Sequence, residues 1–348
     1  MEIKPVDRAF YQKHIRDFLP DRIIDIHTHV WLDKFINRNG RFPDRMVAWP
    51  ELVAKDNSVE ELIKTYELMF PGKAVTPVIF SNLGPGDDFD AANGYVAECS
   101  KKFGFPALLF TMPGWSAAEL EDRVMKGGFS GCKVYLNMSG QYIPEKEIRI
   151  FDFLPHHQLE VIDRHGWIVM LHIPRDGRLK DPVNLAQMLE IENRYPNAKV
   201  IVAHVGRCYC PEDLGNAFEV LSGTKNMLFD FSANSNQYVF EQLIKAVGPR
   251  RILFGSDMPV LKMRARRICE DGNYVNLVPE GLYGDVSEDR HMREVRGEQA
   301  EALTFFMYEE IDAFKRAAEA TGLGKSDIGD IFYGNGARLI EKIKSSDL

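Results

Sequence analysis

The stretch that decides the fold is residues 22–29, RIIDIHTH, where a short apolar run ends in two histidines one residue apart. The run is nearly continuous rather than alternating, which is typical of a strand buried on both faces. Side chains at i and i+2 of a strand point to the same side, so His27 and His29 face the same way. Either one belongs to the core and the other to the surface, or both hold a metal ion.

Seven further apolar runs follow along the chain and alternate with amphipathic segments. The eight predicted strands cover residues 22–27, 74–80, 106–112, 131–136, 167–173, 199–205, 227–232 and 251–256. Such alternation indicates an α/β protein with a parallel sheet, and eight repeats predict that the sheet closes into a (β/α)8 TIM barrel. A doubly wound open sheet is the alternative. No G-x-G-x-x-G follows the first strand, which disfavours its dinucleotide-binding form.

The amphipathic segments carry the start and stop signals of helices. Ser58 and Ser116 each stand three residues before a glutamate, which is the signature of a capping box. Gly104 and Gly128 mark the ends of two segments. The strand–helix order is therefore supported at the helix boundaries as well as by the apolar runs.

The pattern predicts a single domain over residues 1–348, with the barrel core at about 22–343. Two stretches are longer than ordinary connections: residues 31–57 after the first strand and residues 257–297 after the eighth. Both would lie at the carboxyl ends of the strands, where barrel loops carry function. We expect them to form a lid or the walls of a pocket.

Composition excludes several classes of function. The chain has 43 basic and 51 acidic residues and a net charge of −8, which disfavours nucleic-acid binding. The short basic run at Arg264, Arg266 and Arg267 is expected to be a solvated face or a loop anchor. No apolar window is long enough to predict a transmembrane helix, and the charged N-terminus does not resemble a signal peptide. The five cysteines suggest no disulfide framework, so we expect reduced thiols and a cytoplasmic location.

Polar side chains cluster at the predicted strand ends. They are His27 and His29 on strand 1, Lys133 on strand 4, His172 on strand 5, His204 on strand 6 and Asp257 on strand 8. In a barrel these ends meet at one mouth, so the side chains should converge. Imidazole together with carboxylate suits Zn²⁺, Mn²⁺ or Fe²⁺. The other five histidines lie away from strand ends and are expected to be structural or solvated.

These motifs, in this order, resemble those of the amidohydrolase superfamily. More narrowly, the chain resembles the amidohydrolase-related branch that includes aminocarboxymuconate-semialdehyde decarboxylase. The matching stretches are HTH (27–29), FSGCKVYL (129–136), YPNAKVIVAHVGR (195–207), RILFGSDMP (251–259) and YGNGARLI (333–340). The resemblance covers nearly the whole chain and implies a metal-dependent TIM-barrel enzyme that can form a homo-oligomer.

The resemblance implies a role for each residue at the strand ends. His27, His29, His172 and Asp257 would bind one divalent metal ion, with zinc favoured and manganese or iron as alternatives. His204 would lie beside the ion as an acid/base or as a group that polarises the substrate. Asp257 would also take a proton from the attacking water.

Lys133 has two possible roles. In binuclear members of the superfamily a strand-4 lysine is carboxylated and bridges two ions, and His172 and His204 would then bind the second ion. In the branch that this chain most resembles, the lysine is often present at a mononuclear site, so one ion is favoured over two. Otherwise Lys133 would neutralise carboxylates or help to hold an anionic substrate.

Two arginines follow the histidines of strands 5 and 6 by three residues, namely Arg175 and Arg207. Because arginine pairs bidentately with carboxylates, we expect one or both to bind an anionic small-molecule substrate. An ion pair with Asp176 or Asp181 is the alternative. The aromatic side chains of Trp31 and Tyr135 are further candidates for the pocket wall.

Three functions follow from these expectations. The first is a metal-dependent hydrolase that cleaves a lactone or amide bond of a small carboxylated compound with a metal-activated water. The second is a non-oxidative decarboxylase of an unsaturated or aromatic acid. Some decarboxylase relatives replace the first histidine of HxH with glutamate, so His27 favours hydrolysis. The third is a metal-free binding barrel, which the intact set of polar residues disfavours because burying them is costly.

Overall fold

The computed structural model describes residues 2–37 and 52–346, and it contains the eight predicted strands. They are β1 Arg22–His29, β2 Ala74–Phe80, β3 Leu109–Phe110, β4 Gly131–Val134, β5 Ile168–Leu171, β6 Lys199–Val202, β7 Leu228–Asp230 and β8 Ile252–Leu253. Strands β3 to β8 pair in chain order and β1 pairs with β2, all in parallel. The prediction of a parallel α/β sheet is confirmed.

Backbone contacts join the two sheets into a ring. Between β2 and β3, Ile79 bridges to Ala107 in parallel. Between β8 and β1, the Ile26 amide donates to the Phe254 carbonyl over 3.0 Å, and the Asp257 amide donates to the His27 carbonyl over 2.8 Å. The fold is therefore a TIM barrel, and the open-sheet alternative is wrong.

Except for α1, which precedes β1, the helices follow strands in the chain. Within residues 2–37 and 52–346, the α-helices of five or more residues are α1 Pro5–Phe10, α2 Val59–Met69, α3 Phe89–Phe103, α4 Ala117–Gly127, α5 His156–His165, α6 Pro182–Arg194, α7 Ala217–Leu221, α8 Gln237–Val247, α9 Gly297–Glu301, α10 Phe306–Thr321, α11 Lys325–Gly329 and α12 Asn335–Ser346. The Ser58 and Ser116 hydroxyls accept backbone N–H groups at the starts of α2 and α4, as the sequence predicts. Gly104 and Gly128 end α3 and α4 in left-handed conformations.

An aromatic cluster anchors the last helices to the last strands. Phe231 stacks on Phe314 of α10 with ring centroids 4.1 Å apart, and Phe254 stacks on Phe332 with centroids 5.0 Å apart. All four rings are fully or almost fully buried. This packing fixes the carboxyl ends of β7 and β8, from which the functional side chains project.

The insertion after β8 folds into a small sheet that the sequence analysis does not predict. Its strands are β9 Arg266–Glu270, β10 Asn273–Pro279 and β11 Met292–Val295, in the order β11-β10-β9. β9 and β10 are antiparallel, with Arg267 opposite Asn276, and β10 and β11 are parallel. Of the insertion after β1, residues 38–51 lie outside the described residues.

The expectation of reduced cysteines is wrong for two of the five. Cys210, after β6, forms a disulfide with Cys269 of β9, whereas Cys99, Cys132 and Cys208 are free and buried. The two bonded cysteines are 59 residues apart, and their contact depends on where the insertion sheet packs. Spacing along the chain therefore gave no sign of the bond.

None of the helices in residues 2–37 and 52–346 is both long enough and apolar enough to cross a bilayer.

Candidate metal centre

A cavity opens at the carboxyl ends of the barrel strands. All six predicted strand-end residues line it, and so do Trp31 and Tyr135; the remaining described lining residues are Asn82, Tyr209, Ala233, Val260, Arg267 and Tyr274. The cavity volume is about 100 Å³, several times the roughly 10–15 Å³ that one water needs. The structure thus brings the predicted site residues together in a space that suits a small molecule.

His27 is fully buried at the end of β1 and is held from behind by a carboxylate. Its Nδ1 lies 2.9 Å from Oδ2 of Asp230, which ends β7. Its Nε2 is buried and has no hydrogen-bond partner among the described residues, although Oδ1 of Asp257 lies 3.5 Å away. An N–H directed at Asp230 leaves the Nε2 lone pair facing the cavity, which is the usual arrangement of a metal-binding histidine.

His29 and His204 are oriented in the same manner. Nδ1 of His29 lies 3.3 Å from the carbonyl oxygen of Ser81, and its Nε2 lies 3.2 Å from Oδ1 of Asp257. Nδ1 of His204 lies 3.2 Å from the carbonyl oxygen and 2.9 Å from the hydroxyl oxygen of Ser232. The acceptors at Nδ1 of His204 favour the tautomer with a lone pair on Nε2. In His29 both ring nitrogens face acceptors, so Nε2 would carry a lone pair when a cation lies between it and Asp257.

His172 follows β5 and lacks such an acceptor. Its Nδ1 is buried without a hydrogen-bond partner among the described residues. The ring packs against Tyr135, with centroids 4.6 Å apart, and edge-on against His204, at 5.2 Å. A buried nitrogen of this kind is costly unless something binds it, so it supports a ligand at this place.

Among the described residues, His27, His204 and Asp257 form a group of possible metal ligands whose ligand atoms all lie within 4.8 Å of one another. His204 is expected from the sequence either beside the ion or as a ligand of a second ion, and in the structure it belongs to this group. His29 is adjacent to this group because it contacts Asp257, and His172 is adjacent to it because its ring packs against the His204 ring. Imidazoles with one carboxylate fit a divalent ion such as zinc, manganese or iron.

Burial controls the protonation of the four histidines. It lowers the pKa of His27 and His29, lowers that of His204 to about 4, and lowers that of His172 well below the ordinary value. The imidazoles are therefore neutral near pH 7, which is the form that binds metals.

Burial would raise the pKa of the two carboxyl groups, but neighbouring histidines outweigh this effect. His27 and His204, with a hydrogen bond from Ser232, lower the pKa of Asp230 to about 2. His29, His204 and His27 hold the pKa of Asp257 well below its usual range. Both carboxylates are ionised near pH 7.

Lys133 projects from β4 with only 1% of its surface exposed. Its Nζ lies 5.2 Å from the ring centroid of Phe80 and 5.8 Å from that of Tyr135. Burial lowers the pKa of Lys133 to about 8, an effect that the charges of Asp257 and Asp230 oppose. A lysine with such a pKa can exchange a proton near neutral pH.

The two predicted substrate-binding arginines do not line the described cavity. Arg175 takes the alternative partner, with Nε 3.3 Å from Oδ2 of Asp181. Arg207 donates from Nη1 to the Pro174 carbonyl over 2.7 Å. Their role in binding a substrate stays a prediction.

Sequence reasoning missed Asp230 and Ser232, which form a second layer behind the site. Asp230 accepts the His204 backbone N–H over 2.9 Å in addition to the His27 ring, and the Ser232 hydroxyl donates to it. The sequence DFS (230–232) at the end of strand 7 was the available signal, because polar residues at the ends of strands 1, 4, 5, 6 and 8 all line the cavity.

The basic run at residues 264–267 is not the solvated face that the sequence analysis expects. Arg264 is buried against Asp7, and Arg267 lines the cavity, whereas Arg266 is exposed. The alternative of a solvated face is therefore wrong for Arg264 and Arg267, whereas the buried ion pair of Arg264 with Asp7 fits the alternative of a loop anchor. The insertion sheet places them against the barrel, and no local pattern in the sequence reveals that packing.

The backbone is left-handed where several of these residues leave their strands. The non-glycine residues concerned are His204 (φ +56°), Val205 (φ +51°), Arg207 (φ +58°), Ala233 (φ +52°) and Asp257 (φ +51°). Such conformations are uncommon outside glycine and are found preferentially at functional sites. They direct the chain after β6, β7 and β8 around the cavity.

Solved structures with similar folds include both hydrolases and decarboxylases. A probable 2-pyrone-4,6-dicarboxylic acid hydrolase from Acinetobacter baumannii matches with a TM-score of 0.54 and 18% identity, over 92% of this chain and 99% of that one. A dihydroxybenzoic acid decarboxylase from Polaromonas sp. JS666, with bound manganese, matches at 0.53 and 17%, over 92% and 97%. An amidohydrolase from Burkholderia multivorans, with bound zinc, matches at 0.55 and 14%, over 92% and 99%. At these identities the likeness concerns the fold alone.

No curated protein matches the chain significantly by sequence. The model of the Amidohydrolase family, however, matches residues 24–268, which is more than half of the chain and includes β2 to β8 and all but the first two residues of β1. All six residues of the predicted constellation lie within this match. The chain therefore belongs to the amidohydrolase family.

Proposed function

We propose that the chain is a metal-dependent hydrolase that cleaves a lactone or amide bond of a small carboxylated compound. The observation that carries the proposal is the convergence of four neutral histidines and the ionised Asp257 on one cavity. Two of their buried nitrogens, Nε2 of His27 and Nδ1 of His172, have no hydrogen-bond partner among the described residues. A divalent ion held by this set would polarise a carbonyl oxygen of the substrate and lower the pKa of a nearby water.

The protein side chains would carry out the proton transfers and hold the metal ligands in place. Asp257 is ionised and faces the cavity, so it can accept a proton from the attacking water and pass it to the leaving group. Asp230 holds the His27 ring and fixes its tautomer. His204, held by Ser232 at Nδ1, presents its Nε2 lone pair to the cavity and can accept a proton there as a base.

Non-oxidative decarboxylation of an unsaturated or aromatic acid is the second candidate, and Lys133 is the observation that favours it. Loss of CO2 leaves a carbanion that must be protonated, and a buried lysine with a pKa of about 8 lines the same cavity. His27 is retained here, whereas some relatives of the decarboxylase type replace it with glutamate, and this makes hydrolysis the preferred proposal.

Product analysis with two probes separates the candidates. We expect the zinc-loaded protein to open the ring of 2-pyrone-4,6-dicarboxylate or a related carboxylated lactone, with release of a proton and no CO2. Release of CO2 from 2,6-dihydroxybenzoate without hydrolysis of any lactone or amide would make decarboxylation the function. A protein that binds no metal and gains no thermal stability from added zinc or manganese would instead be a binding barrel.

The number of metal ions per chain can be measured directly. We expect elemental analysis to find one ion per chain both in the wild type and in Lys133→Ala, because the Lys133 ammonium lies over aromatic rings and is not a required ligand. The control is Lys262→Ala, which removes a partly buried lysine that does not line the cavity. Two ions in the wild type, falling to one or none in Lys133→Ala alone, would indicate a carboxylated lysine that bridges two metals.

A further inference from the structure

The insertion sheet contributes two residues to the described lining of the cavity, Arg267 and Tyr274, and Arg267 is the charged one. Arg267 lies on β9 and lines the cavity together with Tyr209 and Tyr274. Its neighbour Arg266 is exposed and pairs with Glu309 of α10. The alternation of side chains along β9 thus presents one arginine to the cavity and the next to solvent.

Hydrogen bonds and aromatic rings hold the Arg267 guanidinium in place. Nε donates to Oδ1 of Asn276 over 2.9 Å, and Nη1 donates to the carbonyl oxygen of Ala233. The guanidinium carbon lies 4.5 to 4.6 Å from the ring centroids of three aromatic residues, Tyr209, Tyr274 and Phe306. A planar cation fixed in this way loses little conformational entropy when it binds a ligand.

The charges and shape of the cavity suit a planar anion. Among the described lining residues, Lys133 and Arg267 are cationic, and Asp257 is the only acid. The contacts of Asp257 with His27 and His29 engage its carboxylate within the metal-binding set. Four aromatic side chains line the same cavity: Trp31, Tyr135, Tyr209 and Tyr274. Flat aromatic walls favour flat ligands by stacking.

We propose that Arg267 determines the specificity of the site by binding a carboxylate of the substrate, whose planar body packs against Tyr209 and Tyr274. This inference rests on the proposed function and deepens it. The substrate class becomes planar, unsaturated or aromatic acids whose carboxylate lies away from the bond that reacts. The anchoring group is then Arg267 rather than Arg175 or Arg207, which lie outside the described cavity lining.

Binding of benzoate and of its neutral analogue benzamide, measured by calorimetry on the protein as purified, tests the proposal. We expect the wild type to bind benzoate more tightly than benzamide, and Arg267→Met to weaken benzoate binding by about 10- to 100-fold, as expected for a charged hydrogen bond. Benzamide binding and metal content should not change. Arg267→Lys should restore part of the benzoate affinity, since it keeps the charge but not the bidentate geometry.

Arg266→Met is the matched control, because it removes the same charge from the adjacent, solvent-facing position. It should leave the preference for benzoate unchanged. The proposal is overturned if the wild type does not distinguish the two probes, or if Arg267→Met weakens both equally, which would indicate a purely structural wall. Because these probes are not turned over, the result does not depend on whether the enzyme proves to be a hydrolase.

Discussion

Asp257→Asn is expected to lower the affinity for zinc by more than about 100-fold and to abolish turnover. Loss of a group that only orients a metal ligand typically costs 10- to 100-fold in metal affinity, and Asp257 belongs to the group of possible ligands itself. The amide keeps the size of the side chain but loses the charge that His27 and His29 contact. The variant also lacks the group that accepts a proton from water. Competition with a chelator measures the zinc affinity.

Two control variants provide a comparison for the loss of zinc affinity in Asp257→Asn. Asp230→Asn removes the carboxylate behind His27 and is expected to lower zinc affinity by only about 10- to 100-fold, as an outer residue would. Asp271→Asn alters an exposed aspartate that has a similar left-handed backbone (φ +50°) and should change nothing. Unchanged zinc affinity in Asp257→Asn would contradict the metal centre as described.

Asp7→Ala is expected to lower the free energy of unfolding by about 3–5 kcal/mol, although Asp7 does not line the cavity. Asp7 is fully buried and accepts two hydrogen bonds from the Arg264 guanidinium, at 2.8 and 2.7 Å, and one from the Thr304 hydroxyl at 2.8 Å. Its removal leaves the Arg264 charge buried without compensation, and the side chain of Arg264 is only 6% exposed. Urea unfolding measures the change.

A double substitution separates the effect of the unpaired Arg264 charge from the effect of lost packing. In Asp7→Leu/Arg264→Met neither charge remains, so most of the stability should return. Arg266→Met breaks an exposed ion pair instead and should cost no more than about 1 kcal/mol. A loss below 1 kcal/mol in Asp7→Ala would show that the buried pair does not hold α1 to the segment before β9.

The barrel and the strand-end residues could be predicted because their signals are local. A continuous apolar run predicts a buried strand, and the direction of a parallel strand places His172 or Asp257 at the same mouth as His27. Neither inference requires knowledge of distant contacts. The convergence of these residues on one cavity therefore agrees with the sequence.

The remaining features depend on contacts between distant parts of the chain. Asp230 lies 203 residues from the His27 ring that it binds, and Arg264 lies 257 residues from Asp7. A run of arginines is usually solvated, and only the packing of the insertion sheet buries Arg264 and brings Arg267 to the cavity. The bond between Cys210 and Cys269 depends on the same packing.

The left-handed residues around the cavity also bear on how this protein can be made more stable. Each non-glycine residue held in such a conformation costs roughly 1–3 kcal/mol of folding free energy. Val205 and Ala233 are examples, at φ +51° and +52°. Glycine at these positions would remove the conformational penalty but would also free the turns that orient His204 and carry the carbonyl oxygen bound by Arg267. The mouth of the barrel is therefore a region where thermostability and activity compete, and stabilising substitutions are better sought at the opposite end of the strands.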